Sequence, residues 1–213
     1  MVEKYHGGVS SSPYHGAFSK KSKTRQIMSS IPPTLSRRKM LTTSIMTGLS
    51  FLSISGISSA KQFLTPAQAK SLLIGKAKAT KIDIKLTTAQ AKEIKKLSKV
   101  RVRHKNLNAY KTAAAEWLIF DQVIGKHENI DVAFALTNEG KVKGIEILVY
   151  RETYGHEIRN INWRNQFFGR GHEKHLQLDE EIKNISGATL SCSHITDAVN
   201  RITQTWALVL SKK

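Results

Sequence analysis

The sequence predicts an α+β fold: a small antiparallel sheet packed by a long C-terminal helix, with an N-terminal helix-strand-helix extension. Three observations predict it. Apolar runs of strand length occupy Trp117 to Val123, Ile130 to Leu136 and Val142 to Tyr150. Ile195, Ala198, Val199, Ile202, Trp206, Val209 and Leu210 recur at spacings of mostly three and four, which is a helical period. Two short stretches upstream, beginning at Thr65 and Thr87, each place a Gln three residues after a Thr, the signature of a capped helix start.

Taken in order, residues 1–35 are rich in Ser, Lys, Gly and Pro with no sustained apolar period, and they read as a disordered basic segment. Ser36-Arg37-Arg38-Lys39-Met40-Leu41 then leads into Thr42 to Ile57, which holds no charge, and ends in the small residues Ser58-Ser59-Ala60. A charged region, an apolar region and a small-residue cleavage site in that order form an export signal over 36–60, and Arg37-Arg38 is of twin-arginine type. An uncleaved membrane anchor is the alternative, since about 20 residues can span a bilayer. Met28 and Met40 are alternative starts for the chain.

Leu64-Thr65-Pro66-Ala67-Gln68 and Leu86-Thr87-Thr88-Ala89-Gln90 begin two short helices, with Pro66 suited to a first helical position. Ile82, Ile84 and Leu86 alternate with Asp83 and Lys85, so a strand joins them, and these elements make up the extension over 61–105. Arg101-Val102-Arg103-His104 closes it as a solvated edge strand or loop. Three antiparallel strands follow, the last two joined by a tight turn at Asn138-Glu139-Gly140-Lys141. Between the first two lies Gly125-Lys126-His127-Glu128, read as a polar connection; His127 and Glu128 as an acid–base pair is the sharper alternative. Asn162 to Phe168 suits a short helix that presents Trp163 and Phe167 on one face, to the core or to a flat ligand ring. In the terminal helix Ser191 or Ser193 can cap the start, while Asp197, Asn200, Arg201 and Gln204 take the polar face.

The charge and the reactive residues exclude several classes. The net charge is +18, but residues 1–60 alone hold eight of the 34 Lys/Arg and one of the 16 Asp/Glu. Nothing downstream reads as a helix-turn-helix, a zinc finger or a stacking platform, so no nucleic-acid partner is expected. The single cysteine, Cys192, leaves no intramolecular disulfide or multi-cysteine metal site, and its expected role is packing. His172-Glu173-Lys174-His175 is one residue short of the spacing that puts two zinc ligands on one helix face, so no metal is expected. No catalytic residue is assigned.

Ser186-Gly187-Ala188-Thr189-Leu190-Ser191 joins Ile182 to Ile185 to the terminal helix. Gly187 and Ala188 let a large body approach the Thr189 hydroxyl, and a helix starting just after it offers free N–H groups and a positive dipole end to a phosphate. This hexapeptide resembles the flavinylation motif of the FMN-binding domain family, whose members are found in the sodium-pumping NADH:quinone oxidoreductase and in exported FMN-binding proteins. Arg151-Glu152-Thr153-Tyr154-Gly155 is similar to the family's Glu-Thr-Pro-Gly segment, with Tyr154 in place of proline. Trp163, Phe167 and Gly169 are similar to its aromatic segment before the attachment site. Lys183 stands three positions before Ser186, where family members often have an acidic residue.

The resemblance covers roughly residues 110–213, and it assigns residues 106–213 to an FMN-binding domain. It implies FMN held covalently by a phosphoester to Thr189, with Ser186, Gly187, Ala188, Leu190, Ser191, Glu152, Thr153, Gly155, Lys126 and His127 as cofactor-binding residues. Lys126, Arg151 and Arg170 are the basic groups that would favour negative charge on the reduced ring. A flavin transferase for maturation and a membrane redox partner, a haem- or flavin-bearing reductase, are the implied partners. The expected protein is a periplasmic or envelope electron carrier rather than an enzyme with its own substrate; a flavin-dependent reductase of a small substrate and a cofactor-free binding module are the alternatives.

Overall fold

The computed structural model describes residues 60–213, so the basic segment over 1–35 and, Ala60 apart, the export signal over 36–60 lie outside the described residues. The two Thr-x-x-Gln stretches form the boxes expected of them. Thr65 caps α1 (Pro66–Ile74) and Thr87 caps α2 (Thr88–Ser98). In each box the Gln N–H donates to the Thr hydroxyl, at 3.2 Å for Gln68 and 3.1 Å for Gln90. The Gln Oε1 in turn accepts from the Thr backbone N–H, at 2.8 Å in both. Each reciprocal pair satisfies two N–H groups that a helix start would otherwise leave open.

The remaining elements build one antiparallel sheet. Its strands are β1 (Lys61–Gln62), β2 (Ala79–Lys85), β3 (Asn106–Thr112), β4 (Trp117–Ile124), β5 (Asn129–Leu136) and β6 (Val142–Tyr150), in the order β1-β6-β5-β4-β3-β2. The three strands expected from their apolar runs form its centre with closely matching bounds. The strand of the N-terminal extension is its edge: β2 pairs along its whole length with β3, from Ala79 opposite Thr112 to Lys85 opposite Asn106. Asn-Leu-Asn-Ala-Tyr-Lys-Thr, the sequence of β3, has too little apolar contrast to announce a strand, and the pairing on both sides makes it one.

Alternation along the strands then sets two faces. Trp117, Ile119 and Val123 of β4 and Ile130, Val132, Phe134 and Leu136 of β5 enter the main core, which α2 and the terminal helix, α3 (Ile161–Arg164) having intervened as a single short turn, α4 (Thr189–Leu208), cover. Leu118, Ala133, Ala135 and Leu148 point the other way and meet Ala69, Leu73 and Ile74 of α1. The small alanines of β5 let α1 lie close on that face. Each fully buried aliphatic side chain contributes about 1.5–3 kcal/mol relative to exposure, so both helices are anchored by apolar contact rather than by their own propensity.

α4 departs from expectation in two ways. Its start lies at Thr189, with Ala188 as the N-cap and no side chain capping it, so neither Ser191 nor Ser193 plays that part. Its expected polar face is covered: Asn200 and Arg201 are only 4% and 8% exposed. Asn200 donates to the Leu176 carbonyl at 2.8 Å and accepts from the Leu176 N–H at 2.9 Å. Arg201 pairs with Asp121 of β4. Sequence period predicts one buried stripe; the sheet, α2 and the segment near Leu176 bury several. Among the described residues no helix is long and apolar enough to cross a membrane.

Candidate functional site

The residues around Thr189 take their geometry from a change of chain direction. Ile185 O accepts from the Ala188 N–H at 2.9 Å, Gly187 sits at φ 84°, and α4 begins at once. Thr189 is therefore the first residue of the helix, and its side chain is within reach of solvent from the cleft described below. The first intrahelical bond runs from Cys192 N–H to Ala188 O at 2.9 Å, which leaves the N–H groups of Thr189, Leu190 and Ser191 without an acceptor inside the helix. With the helix dipole they present positive potential at the Thr189 hydroxyl.

Asn184 orients that hydroxyl. Its Oδ1 accepts from the Ile185 N–H at 2.8 Å, which fixes the amide, and its Nδ2 donates to Thr189 Oγ1 at 3.0 Å. The hydroxyl oxygen is held from one side and its hydrogen is left to point elsewhere. Asn184 lies outside the resemblance motif, and no pattern in the sequence marks it.

The opposite wall comes from the β4–β5 connection and the segment after β6. Glu152 joins the two, its Oε1 accepting from the N–H groups of His127 and of Glu128, the latter at 2.9 Å. Gly125 makes room for this clamp: a Cβ there would stand 2.4 Å from Glu152 Oε1. Burial works against ionisation of Glu152, but the N–H groups of Glu128 and His127 outweigh it and hold the carboxyl below its ordinary value. His127 and Glu128 are thus bound through their backbones by a third residue, and nothing pairs their side chains as acid and base.

A second lock joins this wall to α4. The Tyr150 hydroxyl donates to the Tyr154 carbonyl and shares a 2.8 Å hydrogen bond with Ser191 Oγ. Burial pushes the Tyr150 phenol up from its ordinary value, with the Ser191 bond pulling the other way. Gly155 lies directly over this pair at φ 94°, where a Cβ would come within 2.5 Å of the Tyr150 oxygen. A positive φ and a close approach both demand glycine there.

Between the walls is a cleft of about 520 Å³. It brings together Lys126, His127, Glu152, Thr153, Gly155, Gly187, Ala188, Thr189, Leu190 and Ser191, which are all the expected site residues except Ser186. Tyr154, which stands where the family pattern has proline, joins the lining. Tyr154 is 80% exposed and Leu190 49%, so both offer apolar surface to the cleft rather than to the core.

Other residues singled out in the sequence take the following places. Arg151 does not line the cleft: it pairs with Asp131 at 2.7 Å and donates to the Asn129 carbonyl at 2.9 Å. Arg170 is also outside it, donating to the Gln166 carbonyl at 3.3 Å. Lys126 is the lysine that the cleft retains. Trp163 and Phe167 take the core alternative, packed edge to face at 5.2 Å, with Trp163 Nε1 donating to the Lys183 carbonyl at 2.7 Å. Lys183 is exposed, with its backbone held at both ends by Trp163 and Gln166. Cys192 is buried, and burial raises its thiol above the ordinary value, which fits packing and not nucleophilic work. Glu173 pairs with Lys141 at 2.8 Å and Lys174 with Glu181 at 2.7 Å.

An α+β domain whose cleft pairs apolar walls with an open helix N-terminus has the construction of a site for a phosphate-bearing cofactor. Residues 125–204 match the family of FMN-binding domains, from the β4–β5 connection through most of α4. That segment is similar to FMN-binding domains, and the match supports a flavin-binding protein. No curated protein matches the chain.

Proposed function

We propose that Thr189 carries FMN through a phosphoester and that the protein is an exported electron carrier. One observation carries the reading: the Thr189 hydroxyl stands at the first position of α4, in the lining of a 520 Å³ cleft, inside a segment that matches FMN-binding domains. The cleft falls within the range of ligand pockets, about 300–1,000 Å³.

The residues fit the group. The open N–H groups at the start of α4 and the Lys126 ammonium are donors suited to phosphate oxygens, and Gly187 has no neighbour within 4 Å of where a Cβ would be, so the approach is clear. Tyr154 and Leu190 supply the apolar contact that a flat ring requires. When bound, flavin supplies one- and two-electron redox chemistry. Asn184 holds Thr189 Oγ1 with its hydrogen directed away, ready to be given up as the oxygen–phosphorus bond forms. A flavin transferase would supply FMN as a phosphoanhydride; that anhydride bond breaks as the Thr189 oxygen–phosphorus bond forms, and the other phosphate-bearing half leaves while the hydroxyl proton passes to solvent. Glu152 keeps Lys126 and His127 in the wall, so positive charge stays beside the cofactor.

The cleft offers no residue arranged as an acid–base pair for a substrate of its own, which favours a carrier over a reductase. Export follows from the signal pattern over 36–60. A membrane-bound haem or flavin reductase is the expected electron partner.

The test is coexpression with a flavin transferase, denaturation, and measurement of flavin fluorescence and mass on the polypeptide. Yellow fluorescence that stays with the denatured chain, with a mass increase of one FMN less one water, is expected. Thr189→Val should abolish both. A colourless wild-type chain, under conditions that label a control domain, would refute covalent attachment.

A further inference from the structure

A second cavity, of about 600 Å³, lies between α4, the end of β4 and the Arg101-Val102-Arg103-His104 segment. It is distinct from the flavin cleft but close to it in the chain: Ile124 lines one and Lys126 the other, and His194 follows Ser191 by one turn of α4.

Its construction is that of an amphipathic site. Val102 tucks against the main core, so its neighbours Arg101 and Arg103 both turn over the cavity. Val123 and Ala198 form a buried apolar floor, and Ile124, 44% exposed, is an apolar flank. Among the described residues neither Arg101 nor Arg103 has a carboxylate partner; Arg103 makes one long bond, 3.4 Å, to Asn129 Oδ1. The third arginine of the lining, Arg201, is already engaged by Asp121. His194 Nδ1 is buried with no hydrogen-bond partner among the described residues, which is costly for a polar atom unless a ligand or a water meets it. Asp197 is the one carboxylate of the lining, and burial pushes it up toward its neutral form while His194 and His175 pull it down.

We propose that this cavity binds a small amphipathic anion, a flat apolar body with one carboxylate or similar oxyanion, its head held by Arg101 and Arg103 and its body lying on Val123, Ile124 and Ala198 beside His194. Two guanidinium groups are placed to meet the anion in paired fashion, and the floor excludes water from the body of the ligand. The inference stands on the cavity alone and does not depend on flavin at Thr189.

Titration calorimetry of the full chain with 2-naphthoate tests it. Saturable binding at one site is expected, weakened about tenfold or more by Arg101→Gln with Arg103→Gln. Both arginines are exposed, so their replacement should leave the fold intact, which a thermal melt checks. His194→Phe should weaken binding too, methyl 2-naphthoate should bind at least about tenfold more weakly than the acid, and Lys126→Gln should change nothing. Absence of saturable binding at millimolar ligand, equal binding of acid and ester, or loss of binding in Lys126→Gln with retention in the double arginine variant would each overturn the proposal.

Discussion

Replacing Glu152 separates the architecture of the Thr189 cleft from its chemistry. Its carboxylate is the common acceptor for the N–H groups of His127 and Glu128, and so it ties the β4–β5 connection to the segment after β6. A hydrogen bond to a charged group contributes about 1.5–3 kcal/mol net; the two amides are on an exposed connection and can turn to water when released, so the lower end applies, about 3 kcal/mol for the pair. Glu152→Ala should cost that amount in urea denaturation at neutral pH. Glu152→Gln keeps an acceptor oxygen without its charge and should lose roughly half as much. Hydrogen exchange at the His127 and Glu128 amides should rise in both variants, more in Ala than in Gln. The pH dependence has a definite sign: the folded carboxyl titrates below its ordinary value of 4.5, so its stabilisation is complete above that value and is lost as pH falls through the depressed folded one. The gap between wild type and Glu152→Gln should therefore close on acidification. A Glu152→Ala protein within about 0.5 kcal/mol of wild type, with unchanged amide exchange, would refute the clamp.

Other perturbations test the remaining locks. Gly155→Ala forces a Cβ to 2.5 Å from Tyr150 Oη and 2.6 Å from Ser191 Oγ at a φ of 94°. Left-handed strain plus a broken buried hydrogen bond should cost about 2–4 kcal/mol in chemical denaturation, and a variant as stable as wild type would show that the Tyr150–Ser191 pair does not fix the loop. Asn184→Ala removes the donor to Thr189 Oγ1, so the initial rate of flavin incorporation should fall about fivefold with the final extent unchanged; an unaltered rate means the amide does not orient the acceptor. Arg201→Met strands the Asp121 carboxylate beneath α4 and should cost about 3–5 kcal/mol in urea denaturation, most of it regained by adding Asp121→Leu. A double variant no more stable than the single one would mean the ion pair is not the source of the loss.

How legible each part was depends on how local its cause is. The two capping boxes, the hairpin from β5 to β6 and the helical period of α4 are short-range, so Thr65 with Gln68, Thr87 with Gln90, and the spacing after Ile195 suffice to read them. β3 and the two-residue β1 exist because partners far along the chain pair with them, and neither has an apolar pattern of its own. Among the site residues, Thr189 and its small neighbours are recognisable as a string. Asn184 is not, because an Asn two residues before Ser186 has no meaning until the turn at Gly187 brings its amide to the Thr189 hydroxyl.

By itself the sequence determined the α+β class, the order of the central strands, the capped starts of α1 and α2, and a hydroxyl-bearing segment ahead of a long helix. Periodicity and capping act within a few residues, so they survive without knowledge of the fold. Tertiary structure alone decided that α4 begins at Thr189, which makes the proposed acceptor the first helical residue. It also decided that Asn200 and Arg201 are interior, that Arg151 and Arg170 are engaged away from the cleft, and that Glu152 clamps the connection carrying Lys126. Each of these depends on which surfaces meet across long chain separations, and a residue's charge or period carries no record of what will cover it.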